Sequence, residues 1–188
     1  MTHINKGKPF PLGSSLTSQG VNFSLIATSA EYVEILLFEK EDSIFPKTIF
    51  KLDQSHNTGP YWHVEIKNLN VGCIYAFRIK QKNNEINNNY EKKVLLDPCA
   101  RGITGWGSYE RKNALKTQEN TNSCLKSVVC DRKLFNFKDY PRPKHSWEET
   151  IIYELHIKSF TESIDKTESC FKKFLKKIPY LKELGITS

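Results

Sequence analysis

Hydrophobic and polar residues alternate along four short segments in the first half of the chain. The apolar positions are Val21, Phe23 and Leu25; Val33, Ile35 and Leu37; Trp62, Val64 and Ile66; and Cys73, Tyr75, Phe77 and Ile79. A period of two is typical of strands that cover a core with one face. A further run at residues 44–52 contains Pro46, which predicts an edge strand because proline cannot donate to a β-ladder.

Turn-forming residues separate these segments, as at residues 53–60 and in the asparagine-rich stretch 83–89. Residues 94–96 predict a last short strand, and the polar residues 1–9 are expected to be frayed. Six or seven short strands with no helical period between them favour an antiparallel β-sandwich. The predicted fold class is therefore mainly β.

The last forty residues follow a different pattern. Residues 151–161, with the sequence IIYELHIKSFT, form a short apolar run that predicts a strand buried on both faces, as in a parallel sheet. Apolar residues then recur at spacings of three and four, which predicts one face of a helix. That face comprises Phe171, Phe174, Leu175, Ile178, Leu181 and Leu184, and the solvent face carries Lys172, Lys173, Lys176, Lys177 and Lys182.

Gly185 follows the last apolar position of this helix, where a left-handed C-cap is expected, and Ile186 and Thr187 begin a second predicted strand. A strand, a crossover helix and a second strand form the βαβ unit of an α/β fold.

These segments resemble a known family. The words IYELHI at 152–157, SFT at 159–161 and IPYLKELGIT at 178–187 are similar to the opening of the catalytic barrel in isoamylase-type glycogen debranching enzymes. Those enzymes belong to the α-amylase superfamily of glycoside hydrolases.

The first half resembles the same family. Residues 11–13, 20–25 and 30–38 are similar to the immunoglobulin-like module that precedes the barrel, which is grouped with glycogen- and starch-binding modules. The word DPCAR at 97–101 is similar to the family's Asp-Pro-Tyr-Ala-Arg, with Cys99 in place of tyrosine. Residues 134–147 resemble the inter-domain connector, with Phe137 where tryptophan is more usual.

The resemblance implies an immunoglobulin-like antiparallel β-sandwich at residues 8–97, a connector at 98–147 and the truncated start of a (β/α)8 barrel at 148–188. It implies hydrolysis of α-1,6-glucosidic branch linkages in glycogen or starch-like glucan, with water and without a cofactor. In the family the catalytic acids come from barrel strands three, four, five and seven, whereas this chain reaches only the start of strand two. We therefore expect these 188 residues to contain no catalytic residue and to be inactive alone.

Two alternatives stay open from the sequence. The chain can be a stand-alone α-glucan-binding or interaction module that retains the start of a barrel. It can also be a fragment of a related glucan-branching or trehalose-forming enzyme, which has the same architecture and a different reaction.

Few residues are candidates for chemistry or binding. Trp106, between Gly105 and Gly107 and close to Tyr109, predicts an exposed aromatic loop, and sugar rings stack on flat aromatic faces. Trp106 and Tyr109 are therefore candidate glucan-binding residues, although such an aromatic can equally anchor the loop. Glu154 and His156 would share a face of a strand, where a hydrogen-bonded polar pair is favoured over a catalytic one.

The cysteines and histidines indicate whether metal sites, cofactors or disulfides are to be expected. The five cysteines are odd in number and form no CxxC pair, which argues against a zinc site and against a disulfide framework. His56 and His63 have no partner at metal-ligand spacing and are interpreted as surface residues, so neither a metal nor a cofactor is expected. Trp62, in phase with its apolar neighbours, is expected in the core.

The net charge, the lengths of the apolar runs and the amino-terminal residues indicate which partners and which cellular location to expect. The formal charge is +7, but the lysines are scattered and no nucleic-acid-binding motif is found, so no nucleic-acid partner is expected. The sequence lacks an apolar run of roughly 20 residues that could span a bilayer. It also lacks an apolar signal region at the amino terminus. We expect a cytoplasmic protein without membrane association, with α-glucan as a possible partner and an oligomeric state that the sequence leaves open.

Overall fold

The computed structural model describes residues 3–82, 92–134, 136, 139–140, 142–162 and 168–188. It divides into two compact units, residues 1–135 and residues 136–188. The asparagine-rich stretch 83–89 and Phe137 lie outside the described residues.

The first unit is built from two antiparallel sheets. The first sheet has the order β1-β7-β3-β2, with β6 also pairing with β7, and the second has the order β5-β4-β8-β10-β9. The strands are β1 (Ile4–Asn5), β2 (Gly13–Leu16), β3 (Gly20–Ile26), β4 (Ala30–Phe38), β5 (Thr48–Leu52), β6 (Asn57–Thr58), β7 (Tyr61–Lys67), β8 (Ile74–Gln81), β9 (Gly102–Thr104) and β10 (Lys126–Val128). The mainly β, antiparallel fold class is confirmed.

The core lies between the two sheets and comprises the positions that alternation indicates. The buried side chains include Val21, Phe23, Leu25, Val33, Ile35, Leu37, Trp62, Val64, Ile66, Tyr75 and Phe77. Trp62 is 2% exposed, and its indole N–H donates to the carbonyl of Ala27 at 3.1 Å, which confirms the core assignment. β5 begins two residues after Pro46 and is an edge strand, as predicted.

The second sheet also has a covered outer face. Strands β9 and β10 come from inside the predicted connector and extend this sheet beyond β8. Leu36, Phe38 and Ala76 point away from the main core and pack with Val94 and Cys124. A short helix, α1 (Arg111–Leu115), precedes Cys124 in this covering segment. The predicted connector therefore contains part of the sandwich.

The outer face of the first sheet is crossed by residues 6–10, which we call the amino-terminal strap. The side-chain amide of Asn22 accepts from the N–H of Lys8 at 2.7 Å and donates to its carbonyl at 3.0 Å. The hydroxyl of Ser24 donates to the carbonyl of Pro9 at 2.6 Å. The prediction that residues 1–9 are frayed is wrong for this strap, because polar side chains of β3 satisfy its backbone.

The described residues of the second unit form three short helices, α2 (Ile157–Phe160), α3 (Cys170–Leu175) and α4 (Ile178–Glu183). The strand predicted over residues 151–161, buried on both faces, is wrong. No strand is assigned over residues 151–156, most of which are exposed, and α2 begins at Ile157. The helix predicted across residues 171–184 is interrupted between α3 and α4. Pro179 explains the interruption, because it cannot donate to the carbonyl of Leu175 and its ring would clash there.

Residues 151–153 of this unit lie beside its last residue, Ser188. The N–H of Ser188 donates to the carbonyl of Ile151 at 3.1 Å, and the N–H of Tyr153 donates to the carbonyl of Ser188 at 3.0 Å. This is the exchange expected at a parallel β-bridge. The segments predicted as two parallel strands therefore do meet.

The end of α4 has the predicted cap. Gly185 has φ +79°, and its N–H donates to the carbonyl of Lys182 at 3.0 Å. The N–H of Ile186 donates to the carbonyl of Leu181 at 3.0 Å, which completes a Schellman motif.

The predicted faces of α3 are partly wrong. Phe171 is 67% exposed and Leu175 is 63% exposed, whereas Lys173, which was expected in solvent, is buried. The break before Pro179 ends the continuous apolar face that the spacing predicts. None of the helices in the described part of the chain has the length and apolar character needed to cross a bilayer.

Candidate functional site

The candidate aromatic residues lie on a turn that follows β9. Trp106 is 64% exposed, and its ring centroid lies 6.1 Å from that of Tyr109 with an interplanar angle of 76°. Gly105 has φ +91°, and its carbonyl accepts from the N–H of Ser108 at 3.3 Å. The structure therefore brings the two predicted glucan-binding residues together, with Tyr109 supporting Trp106 edge to face.

Tyr109 is half-buried and lines a pocket of about 200 Å³ together with Leu96, Asn120 and Cys124. Ligand pockets usually measure roughly 300–1,000 Å³, so this one is small for an enclosed ligand. The accessible feature here is therefore the exposed face of Trp106 and not the pocket.

A glutamate that the sequence did not single out fixes the turn. The hydroxyl of Thr104 and the backbone N–H of Gly105 both donate to the carboxylate of Glu41, the latter at 3.3 Å. These hydrogen bonds hold the pKa of Glu41 below its ordinary value, with the bond from Thr104 contributing most. Glu41 is therefore an ionised acceptor for the turn residues.

The backbone of Glu41 is held in turn by a buried lysine. The ammonium group of Lys126 donates to the carbonyl of Glu41 at 2.8 Å and to the carbonyl of Thr121 at 3.3 Å. It also lies 4.9 Å from the ring centroid of Phe38, within cation–π range. Lys126 is fully buried, so it ties the loop after β4 to the covered face of the second sheet.

The DPCAR motif at residues 97–101 has a structural role in this chain. Asp97 is 1% exposed, and its carboxylate accepts from the hydroxyl of Tyr75 at 2.6 Å and from the N–H of Cys99 at 2.8 Å. Burial raises the pKa of Asp97 against the effect of these hydrogen bonds. The aspartate therefore organises the turn after residue 96.

The two histidines differ from the prediction and from each other. His56 pairs with Asp53 at 3.0 Å, and hydrogen bonds from Ser55 and His56 lower the pKa of Asp53 to about 2. His63 is 1% exposed, so its assignment as a surface residue is wrong. Its Nδ1 donates to the carbonyl of Lys6 at 2.8 Å, and its Nε2 lies 2.9 Å from the hydroxyl of Thr58. The amino-terminal strap covers it.

Glu154 and His156 do not form the pair that alternation predicts. Both are exposed, and Nδ1 of His156 accepts from the N–H of Ser159 at 3.3 Å at the start of α2. In the described part of the chain no hydrogen bond or ion pair joins Glu154 to His156. Among the same residues no group of three or more His, Cys, Asp or Glu side chains is arranged to hold a metal ion, and the five thiols are free.

Comparisons with known proteins bear on these observations. Residues 11–100 match the family described as carbohydrate-binding module 48 (isoamylase N-terminal domain). The glycogen debranching enzyme of Enterobacter sp. (strain 638) is 31% identical over 202 residues, which covers 100% of this chain and 30% of that enzyme. The glycogen debranching enzyme of Pectobacterium carotovorum (strain PC1) is 28% identical over 173 residues, with 86% and 25% covered.

A solved structure gives the same result for the fold. The pullulanase of Group B Streptococcus in complex with maltotetraose aligns with a TM-score of 0.68 and 22% identity, over 94% of this chain and 23% of that one. The resemblance to an amino-terminal portion of glycogen debranching enzymes is confirmed. The chain spans about a quarter of the length of the curated relatives it matches.

Proposed function

We propose that this chain is an α-glucan-binding amino-terminal portion of a glycogen debranching enzyme, and that its sandwich binds glucan through Trp106. The match of residues 11–100 to a carbohydrate-binding module supports the ligand class. The names of the curated relatives support the enzyme class. The streptococcal pullulanase with maltotetraose supports a glucan made of α-linked glucose.

The observation that carries the proposed site is the presentation of the Trp106 indole. A large aromatic side chain that is 64% exposed leaves apolar area in water, and here the turn and the ring of Tyr109 hold it in place. A glucose ring can stack on that face without a deep pocket. By analogy with aromatic pairs, one such stack contributes about 0.5–1.5 kcal/mol, so the affinity is weak and depends on several sugar units.

The whole enzyme, by this proposal, hydrolyses α-1,6 branch linkages of glycogen or a starch-like glucan. The sandwich then contributes substrate attachment, and the chemistry belongs to a barrel of which the second unit forms the first βα segment. A cytoplasmic location stays a prediction made from the sequence.

Titration calorimetry with glycogen and with a linear maltooligosaccharide tests the proposal. We expect weak binding by the native chain and a loss of about fivefold in affinity for Trp106→Ala, which corresponds to about 1 kcal/mol. Trp147→Ala is the matched control, because Trp147 is 84% exposed in the second unit and has no part in the proposed site.

Two results would contradict the proposal. If native chain gives no heat with either glucan, the sandwich is not a binding module. If Trp147→Ala weakens binding as much as Trp106→Ala, the glucan contacts a different surface.

A further inference from the structure

We infer that Glu41 is a positioning residue for glucan binding: from the loop after β4, its carboxylate fixes the turn that presents Trp106. The inference rests on the proposed function and adds to it a second loop, which is distant in sequence and on which the affinity of the aromatic site depends.

The contacts of Glu41 converge on the residues that precede Trp106. One carboxylate oxygen accepts from both the side chain of Thr104 and the backbone N–H of Gly105. Thr104 is the last residue of β9, and Trp106 follows Gly105 directly. The carboxylate therefore binds the residues at the start of the turn. Hydrogen bonds to an ionised acceptor are the stronger kind, which suits an exposed site where a neutral bond competes with water.

The carboxylate can hold the turn because its own backbone is fixed. The carbonyl of Glu41 accepts from the buried ammonium group of Lys126, whose neighbouring contacts lie on the outer face of the second sheet. Lys126 in β10 pairs with Thr104 in β9. The carboxylate of Glu41 and its backbone carbonyl are therefore both bound by residues of this strand pair. The turn is therefore tied through Glu41 to a rigid part of the sandwich.

A link of this kind affects binding more than folding. Glu41 is exposed and belongs to neither hydrophobic cluster, so its removal leaves both clusters intact. An untethered turn, in contrast, samples orientations of the Trp106 indole in which a sugar ring cannot stack. Ordering such a turn on binding costs conformational entropy and reduces the affinity. A preorganised turn avoids this cost.

The test measures glycogen binding by titration calorimetry with Glu41→Ala, Glu41→Gln and Thr104→Val in the full chain. We expect about fivefold weaker binding for Glu41→Ala, and partial recovery for Glu41→Gln because the amide keeps an acceptor oxygen. Thr104→Val, which removes one donor at constant shape, should fall between native and Glu41→Ala. Glu39→Ala is the matched control on the same loop, since Glu39 pairs only with exposed Lys47 among the contacts described for it.

Two further measurements separate positioning from a structural effect. Combined with Trp106→Ala, Glu41→Ala should weaken binding no further, because the residue it positions is gone. In a Trp147→Phe background two tryptophans remain, of which Trp106 is exposed and Trp62 is buried. There Glu41→Ala should lower the fluorescence anisotropy of the exposed indole and leave the melting temperature equal to that of the Glu39→Ala control.

The outcomes are distinguishable. Binding that needs Trp106 but is unchanged in Glu41→Ala overturns this inference and leaves the proposed function intact. An equal loss from Glu41→Ala in the Trp106→Ala background shows an independent role and also overturns it. Absence of glucan binding by the native chain removes the proposed function, and this inference with it.

Discussion

The hydroxyl of Tyr75 donates a 2.6 Å hydrogen bond to the carboxylate of Asp97, and both side chains are buried inside the sandwich. The same carboxylate accepts from the N–H of Cys99, while the N–H of Asp97 lies 3.0 Å from the hydroxyl of Ser127. The aspartate thus joins β8, β10 and the segment between them. A buried carboxylate of this kind is tolerated only where such donors surround it.

Tyr75→Phe should destabilise the fold by about 2 kcal/mol near neutral pH, because it leaves a buried carboxylate with one donor fewer. The loss should be smaller at about pH 4 than at about pH 7. Burial already raises the pKa of Asp97 above its unfolded value, so the folded state binds the proton more tightly and stability falls as the pH rises through this range. The hydrogen bond from Tyr75 lowers the pKa of Asp97. Its loss in Tyr75→Phe therefore raises this pKa further, and stability falls more steeply with pH.

Urea unfolding of both proteins at the two pH values measures this effect. Tyr61→Phe is the control, because it removes the hydroxyl of a half-buried tyrosine whose ring packs on Phe10. An equal loss at both pH values for Tyr75→Phe would show that Asp97 does not titrate in this range.

The sequence predicted the elements whose signal is local. Alternation at Val21, Phe23 and Leu25 gave the core-facing side of a strand correctly, because the pleat alone decides which residues share a face. Gly185 was predicted as a left-handed cap for a similar reason, since the cap depends only on the preceding turn. The aromatic pair Trp106 and Tyr109 lies three residues apart and was also within reach of local reasoning.

The features that the sequence did not predict depend on long-range contacts. Strands β9 and β10 are three residues each, too short to show a period, and they pair across more than twenty residues. Glu41 reaches Thr104 across 63 residues. His63 was misassigned because its burial comes from the strap, which an isolated polar position on a strand does not reveal.

Truncation after residue 97 should destabilise the sandwich relative to a fragment of residues 1–135. The shorter fragment lacks β9, β10 and Cys124, which exposes Leu36 and Phe38 on the outer face of the second sheet. Exposing two large apolar side chains costs about 3–6 kcal/mol, a large fraction of the stability of a small domain. Urea unfolding of both fragments gives the difference, and equal midpoints would support the predicted boundary at residue 97.

Asn22→Ala should release the amino-terminal strap. The substitution removes the two hydrogen bonds to the backbone of Lys8, worth about 1 kcal/mol each, and leaves the core residues of β3 unchanged. Trypsin should then cut after Lys6 at least about tenfold faster, because cleavage follows the population of the open strap. Asn70→Ala replaces an exposed asparagine and serves as the control. Cleavage at the native rate would mean that His63 and Ser24 suffice to hold the strap.

The isolated chain should not hydrolyse α-1,6 or α-1,4 glucosidic bonds. Retaining glycoside hydrolysis needs two carboxyl groups about 5 Å apart, one as nucleophile and one as acid and base. Glu154, the carboxylate of the segment similar to the first barrel strand, is exposed, and the neighbouring His156 is engaged at the start of α2. Both side chains are exposed, and no hydrogen bond or ion pair joins them in the described part of the chain.

A reducing-sugar assay on glycogen, pullulan and amylopectin tests this expectation, with Glu154→Gln as the matched control because it keeps the side-chain shape and removes the charge. We expect both proteins to stay at background. Turnover by the native chain that disappears in Glu154→Gln would make Glu154 a catalytic residue, and the second unit would then be a working site in its own right. Background activity in both would agree with the proposed role in glucan binding, because the proposed site at Trp106 uses no carboxylate of the second unit.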